Sequence, residues 1–194
     1  MKQNREVEYK LLVDADTFAR IKAHFAPKIT ILQTNHYFDT PNLDLKTQSI
    51  SCRVRQFADG AELTFKRKNG IANDELTFDD ITLENALIDP RVKALLAQWG
   101  IQSPLVALGV LQTERNLVPL NYGDLCLDHN HYHGITDYEL EYELTGDEKA
   151  GLGEFHEILA FFGLKWAKNA PAKVRRCVQA ARASGFGPSE PHTR

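Results

Sequence analysis

Apolar and polar side chains alternate along most of this chain, starting close to its first residue. Over residues 6–13, Val7, Tyr9 and Leu11 fall on one face of an extended strand, and Glu6, Glu8 and Lys10 on the other. The same two-residue period predicts strands over 29–38, 50–57, 61–68, 75–78, 105–117, 124–128 and 136–144. Asp59-Gly60 and Asn69-Gly70 mark turns between neighbouring strands. Where the period lengthens to three or four residues, helices are expected. The first takes Asp14 or Asp16 as its cap, carries Phe18, Ile21 and Phe25 on one face, and stops at Pro27. A second covers 90–99, with Pro90 in its first turn, Val92, Leu95, Leu96 and Trp99 as its stripe, and Gly100 as its stop. Thr145 and Glu148 fit a capping box for a third, which bears Phe155, Ile158, Leu159 and Phe162 before Gly163. A fourth starts near Pro171 and carries Val174, Cys177, Val178 and Ala181.

Eight strands joined mostly as hairpins, with helices at the periphery, indicate the α+β class, and eight antiparallel strands are enough to close a barrel. At 194 residues the chain suits a single domain over 1–184. Residues 185–194, with two prolines and little apolar content, are expected to form a disordered tail.

Composition then removes whole classes of function. The chain is 43% hydrophobic and 25% charged, as soluble globular proteins are. A net charge of −3 gives no basic footprint for nucleic acid. No apolar run approaches a membrane span, and the first ten residues hold no signal-peptide core, so a cytoplasmic protein without a membrane partner is expected. Cys52, Cys126 and Cys177 lie far apart with no CxxC spacing, which points to buried, inert thiols and not to a disulfide framework or a zinc site. Oligomeric state stays open.

Charge is segregated by strand. Glu6, Glu8 and Lys10 share the first strand, and Glu139, Glu141 and Glu143 share a face of the last. The strands between carry Arg53, Arg55, Lys66, Lys68 and Arg115. A solvated sheet face tends to interleave signs, because like charges side by side repel. In a closed barrel the first and last strands become neighbours and the acids gather. The result is a cavity with a carboxylate wall for a divalent metal and a basic wall for an anion, which suits a polyphosphate bound as its metal complex. A solvated outer face would produce the same alternation.

Glu6-Val7-Glu8-Tyr9-Lys10 matches the ExExK motif of the CYTH family, the triphosphatase tunnel metalloenzymes. The resemblance continues through Tyr37-Phe38-Asp39-Thr40, Arg53-Val54-Arg55, Phe65-Lys66-Arg67-Lys68, Arg115, Asp128 and Glu139-Leu140-Glu141, and ends near Lys173 and Arg176. The chain is most similar to the small single-domain bacterial members. The resemblance implies an eight-stranded antiparallel tunnel with a hydrophilic interior. It implies Mg²⁺ or Mn²⁺ held by Glu6, Glu8, Asp128, Glu139 and Glu141, with Glu143 as the alternative register of the acidic pair. It implies a triphosphate held by Lys10, Arg53, Arg55, Lys66, Lys68, Arg115 and Lys173, with Glu8, Lys10, Arg53 and Arg55 at the catalytic centre. The position two before Arg115, basic in many members, is Thr113 here.

The activity implied is metal-assisted hydrolysis of a small-molecule triphosphate, inorganic triphosphate before thiamine triphosphate. Adenylate cyclase chemistry on ATP also occurs in the family, and a polyphosphate-binding module without turnover is a third possibility. His129, His131 and His133 alternate, but fall in what reads as a polar hairpin turn and not a metal site. Trp99 and Trp166 read as helix packing, and Arg175, Arg176 and Arg182 as the solvated side of the last helix, with Lys173 able to close over the tunnel mouth.

Overall fold

The computed structural model describes residues 1–70 and 72–186. All eight strands form: β1 (Lys2–Val13), β2 (Ile29–Asp39), β3 (Ile50–Phe57), β4 (Gly60–Asn69), β5 (Ala72–Ile81), β6 (Val106–Pro119), β7 (Gly123–Tyr132) and β8 (Ile135–Leu144). They close into an antiparallel barrel in the order β1-β5-β4-β3-β2-β6-β7-β8, so the first and last strands are neighbours as the charge pattern required. β3 to β5 and β6 to β8 run as hairpins. The two connections between non-adjacent strands, β1 to β2 and β5 to β6, pass through α1 (Ala15–Phe25) and α3 (Pro90–Gln98).

The polar faces of the strands point inward, so the apolar faces need cover from outside. α1 and α4 (Glu148–Phe161) bring Phe18, Ile21, Phe155 and Leu159 against Tyr9, Leu125, Leu127, Leu140 and Tyr142. α3 brings Val92 and Leu96 against Cys52, Val54, Leu63, Phe65 and Phe78. α5 (Lys173–Ala183) sets Cys177 and Ala180 on Tyr37, Leu108, Leu111 and Tyr132. Trp99 and Trp166 both pack in these clusters, although Trp166 sits in the segment between α4 and α5 and not on a helix. The three thiols are free and buried, and burial pushes that of Cys177 up to about 12. Among the described residues no helix is long and apolar enough to cross a membrane.

Several element ends differ from the sequence expectation, each for a local reason. Asp14, one of the two expected caps, does cap α1, accepting from the Thr17 N–H at 2.7 Å. α4 is capped by Asp147, which accepts from the Ala150 N–H at 2.8 Å, and not by a Thr145–Glu148 box. The Thr145 N–H is already spent on the Tyr122 carbonyl at 3.0 Å, so the helix starts later. The short α2 (Asp44–Thr47) forms because the buried Asp39 carboxylate accepts N–H groups from Thr40, Leu45 and Lys46 at 2.7, 2.9 and 3.0 Å. β7 runs on to Tyr132, which places His129 and His131 on a strand and leaves the turn to His133 and Gly134, both at positive φ. After α5, the Phe186 N–H donates to the Ala181 carbonyl at 2.8 Å, while residues 187–194, where the sequence suggests a disordered tail, lie outside the described residues.

α5 sits against β6 at Gly109, where a Cβ would meet Cys177 Sγ at 2.9 Å, His133 Nε2 at 3.1 Å and Ala181 Cβ at 3.4 Å. Gly109→Ala should therefore destabilise the protein by about 1–3 kcal/mol through overpacking, read by urea unfolding. In a Cys177→Ala background, which removes the nearest atom, the same change should cost markedly less.

Candidate active site

The barrel encloses a cavity of about 800 Å³. Its walls follow from strand alternation: on β3, Cys52 and Val54 face the outer core while Arg53 and Arg55 face the cavity. β4 contributes Lys66 and Lys68, β1 contributes Glu6, Glu8 and Lys10, β6 contributes Arg115, and β8 contributes Glu141 and Glu143. Lys173 enters from the first turn of α5.

The acidic side is threaded with ammonium and guanidinium groups. Lys10 Nζ lies 2.9 Å from both Glu8 and Glu141. Lys66 bridges Glu8 at 2.9 Å, Glu75 at 3.3 Å, and Glu6. Arg115 takes Asp128 through two nitrogens, at 2.9 and 2.8 Å, and reaches Glu141 as well as Glu143 at 2.7 Å. Lys173 Nζ sits among Asp128, Glu139 and Glu141 at 2.8, 2.6 and 2.7 Å. Thr113 donates to Asn130 Oδ1 at 2.7 Å.

These contacts set the protonation of the wall. Burial works against ionisation of Asp128, Glu8 and Glu141, but the cations beside them outweigh it and hold all three below the usual carboxylate range. The same carboxylates hold Lys10, Lys66 and Lys173 above the usual amine range despite burial. Glu6 goes the other way: burial and the neighbouring Glu8 push it up to about 7.

Opposite, the basic side has far fewer counter-charges. No carboxylate pairs with Arg53 or Lys68 among the described residues, and the buried Arg53 Nε has no hydrogen-bond partner. Among the described residues the polar partners of Arg55 are Asn35 at 3.3 Å and Glu62 at 3.4 Å. Burial and the nearby Arg53 and Arg115 push the Arg55 guanidinium down to about 10. Two adjacent arginines with so few counter-charges present the forked donors that an anion would satisfy.

The carboxylates fall into two groups whose oxygens lie within 4.8 Å of one another: Glu6, Glu8 and Glu143; and Asp128, Glu139 and Glu141. An all-oxygen donor set of this kind fits Mg²⁺ or Mn²⁺. The first group faces the cavity. In the second, Glu141 reaches the cavity, whereas Asp128 and Glu139 have no exposed side-chain surface and lie behind Lys173.

Arg176 is not on a solvated face. Its guanidinium holds Asp137 at 2.9 Å and Glu139 at 2.9 Å, helping to seal that second group. Glu75 and Asn73 also belong to the cavity wall, and both follow from the alternation of β5 once that strand is started at Ala72. His129 and His131 lie on the outer face, their rings 4.3 Å apart, with the His131 Nδ1 paired to Thr136 Oγ1 at 2.9 Å.

A family profile described as the CYTH domain matches residues 4–168. The chain belongs to the CYTH domain family. YjbK of Bacillus subtilis (strain 168), whose name proposes a triphosphatase, is 28% identical to this CYTH domain over 84% of the chain and 90% of its own length. A Bacillus halodurans protein whose name proposes an adenylate cyclase has a solved structure that is 32% identical. It covers 91% of this chain and 98% of its own, with a TM-score of 0.78. HpAC1 from Hippeastrum, an adenylyl cyclase by proposal with a dominant triphosphatase activity, shares the fold at 21% identity and a TM-score of 0.69, covering 93% of this chain and 96% of its own.

Two stability measurements follow from the charges of this CYTH domain. Lys173→Ala leaves buried carboxylates undercompensated and should destabilise the metal-free protein by about 3 kcal/mol or more in chemical unfolding. The second is a pH profile in chelator. Because Glu6 is raised from 4.5 to about 7, its contribution to stability is present below pH 4.5 and is lost as pH rises through 7. Asp128, Glu8 and Glu141 are lowered, so theirs is present at neutral pH and lost in acid. Glu6→Gln should flatten the decline in Tm between pH 5 and 8 and leave the acid limb in place.

Proposed function

We propose that this protein is a metal-dependent triphosphatase, with inorganic triphosphate as its favoured substrate and Mg²⁺ or Mn²⁺ as its cofactor. The observation that carries this reading is the unequal pairing of the two walls. Arg53, Arg55 and Lys68 face the cavity with little or no counter-charge, while the carboxylates across from them are already matched by cations. A polyanion supplies what the first wall lacks, and a divalent cation that accompanies it can take the place of ammonium groups at the second. The name of YjbK agrees with this reading.

Glu6, Glu8 and Glu143 are assigned to hold the metal from the cavity side, with Glu141 beside them. A divalent cation held by these carboxylates would supply charge neutralisation for phosphate oxygens and a lowered pKa for the attacking water. The protein's own groups do the rest. Arg53 and Arg55 grip phosphate oxygens as forks, and Lys66 and Lys68 hold charge along the chain of phosphates. Attack of water on a terminal phosphorus forms one P–O bond and breaks the bridging P–O bond, releasing orthophosphate and leaving pyrophosphate. Lys10, Lys66 and Lys173, all protonated at neutral pH, stabilise the charge that builds on leaving and equatorial oxygens.

The Bacillus halodurans relative's name favours a second reading, cyclisation of ATP to cyclic AMP and pyrophosphate. The cavity lining weighs against it: Tyr37 is the sole aromatic residue there among the described residues, and it is buried, so no exposed ring offers adenine a stacking surface. The test is product analysis with inorganic triphosphate, ATP and thiamine triphosphate, each with Mg²⁺, Mn²⁺ or chelator. Orthophosphate should appear from inorganic triphosphate only with metal. Glu8→Gln and Arg53→Ala should each lower kcat/KM by about 10²–10³. Cyclic AMP from ATP would make the cyclase reading correct, and tight binding without turnover would leave a binding module.

A further inference from the structure

β1 changes neighbours at its midpoint. Residues 2–7 pair with β5, and residues 8–13 pair with β8. β5 begins at Ala72, opposite Val7, so the edge of β1 that faced it runs on past Val7 with no strand alongside among the described residues. The main-chain groups next on that edge belong to Glu8 and Lys10, whose side chains enter the cavity.

The segment 169–170 fills this place. The Lys10 N–H donates to Asn169 Oδ1 at 2.7 Å, Asn169 Nδ2 donates to the Glu8 carbonyl at 2.9 Å, and the Ala170 N–H donates to the Lys10 carbonyl at 3.1 Å. One asparagine side chain thus replaces a stretch of strand beside two cavity residues. Its orientation is dictated by its partners. Oδ1 also accepts from the Trp166 Nε1–H at 3.1 Å, so only the amide NH₂ remains to meet the Glu8 carbonyl. Trp166 in turn lies edge-on to Tyr9, ring centroids 5.0 Å apart. The tripeptide is therefore held through its backbone on one side and its middle side chain on the other.

We infer that Asn169 is a positioning residue for the ExExK strand, fixing the backbone from which Glu8 reaches the metal group and Lys10 reaches Glu8 and Glu141. Asn169 lines no part of the cavity and lies just beyond the residues that the family profile matches. The inference rests on the metal-dependent reading above. Its location at the surface means that replacing it opens no core.

The experiment titrates Mn²⁺ by electron paramagnetic resonance and measures kcat on inorganic triphosphate for wild type, Asn169→Ala, Asn169→Asp and Lys168→Ala. Asn169→Asp keeps the acceptor for Lys10 and Trp166 but sets a carboxylate oxygen against the Glu8 carbonyl. Both Asn169 variants should bind Mn²⁺ about 10–100-fold more weakly and lose kcat in proportion. Their Tm should stay within a few degrees of wild type, and Lys168→Ala should match wild type throughout. Asn169 variants that equal an active wild type in Mn²⁺ affinity and kcat overturn this inference alone. So does a loss that tracks Tm and spares Asn169→Asp. A wild type that neither binds Mn²⁺ nor turns over triphosphate overturns the triphosphatase reading, and this inference with it.

Discussion

Asp128 and Glu139 have no exposed side-chain surface, and Glu141 almost none, yet the cations around them keep Asp128 and Glu141 ionised. Carboxylates in that position would each cost several kcal/mol if left alone. What makes the barrel interior possible is the lattice of Lys10, Lys173, Arg115 and Arg176 laid through them. Buried ion pairs of this kind add little net stability compared with a well-packed apolar core. Under the proposed function their presence makes sense as preparation for chemistry: ammonium groups hold positions that a divalent ion would take when a polyanion binds.

That lattice dictates the rest of the architecture. With charge inside, the apolar faces of the strands turn outward, and α1, α3 and α4 supply the cover that a barrel with an apolar interior would not need. α5 has a double task, since Cys177 and Ala180 pack on the barrel while Lys173 and Arg176, on its first turn and the next, complete the charge lattice. The close seat at Gly109 keeps helix and strand near enough for both. Asn169, four residues before Lys173, ties the start of this arrangement to Glu8 and Lys10, so one short stretch serves both ends of the lattice.

Much of this was legible in the chain because a strand has a period of two. Glu6, Glu8 and Lys10, or Arg53 and Arg55, share a face by geometry alone, and the segregation of acids from bases survives closure of the barrel. The period is silent about depth. Glu139, Glu141 and Glu143 share a face equally well, and which of them reaches the cavity depends on strand stagger and on how far α5 inserts. Arg176 looked solvated for the same reason: its partners Asp137 and Glu139 are far away in sequence and meet it only through the packing of α5. Asn169 carries no periodic signal at all, because it acts through side-chain hydrogen bonds to another element's backbone. β7 runs past His129 and His131 because cross-strand pairing to β8 continues through Tyr132, opposite Ile135, and local turn propensity yields to it.

The central claim is that metal and polyanion occupy facing walls of one cavity and favour each other. Its most direct test is calorimetric titration of a non-hydrolysable methylene-bridged triphosphate, with Mn²⁺ present and with chelator. Mutual reinforcement is the expected result: the analogue binds at least tenfold more tightly with Mn²⁺, and Mn²⁺ binds more tightly with the analogue by the same factor. Equal affinity for the analogue with and without metal would contradict the claim, and would leave the carboxylate wall as internal ballast for its lysines.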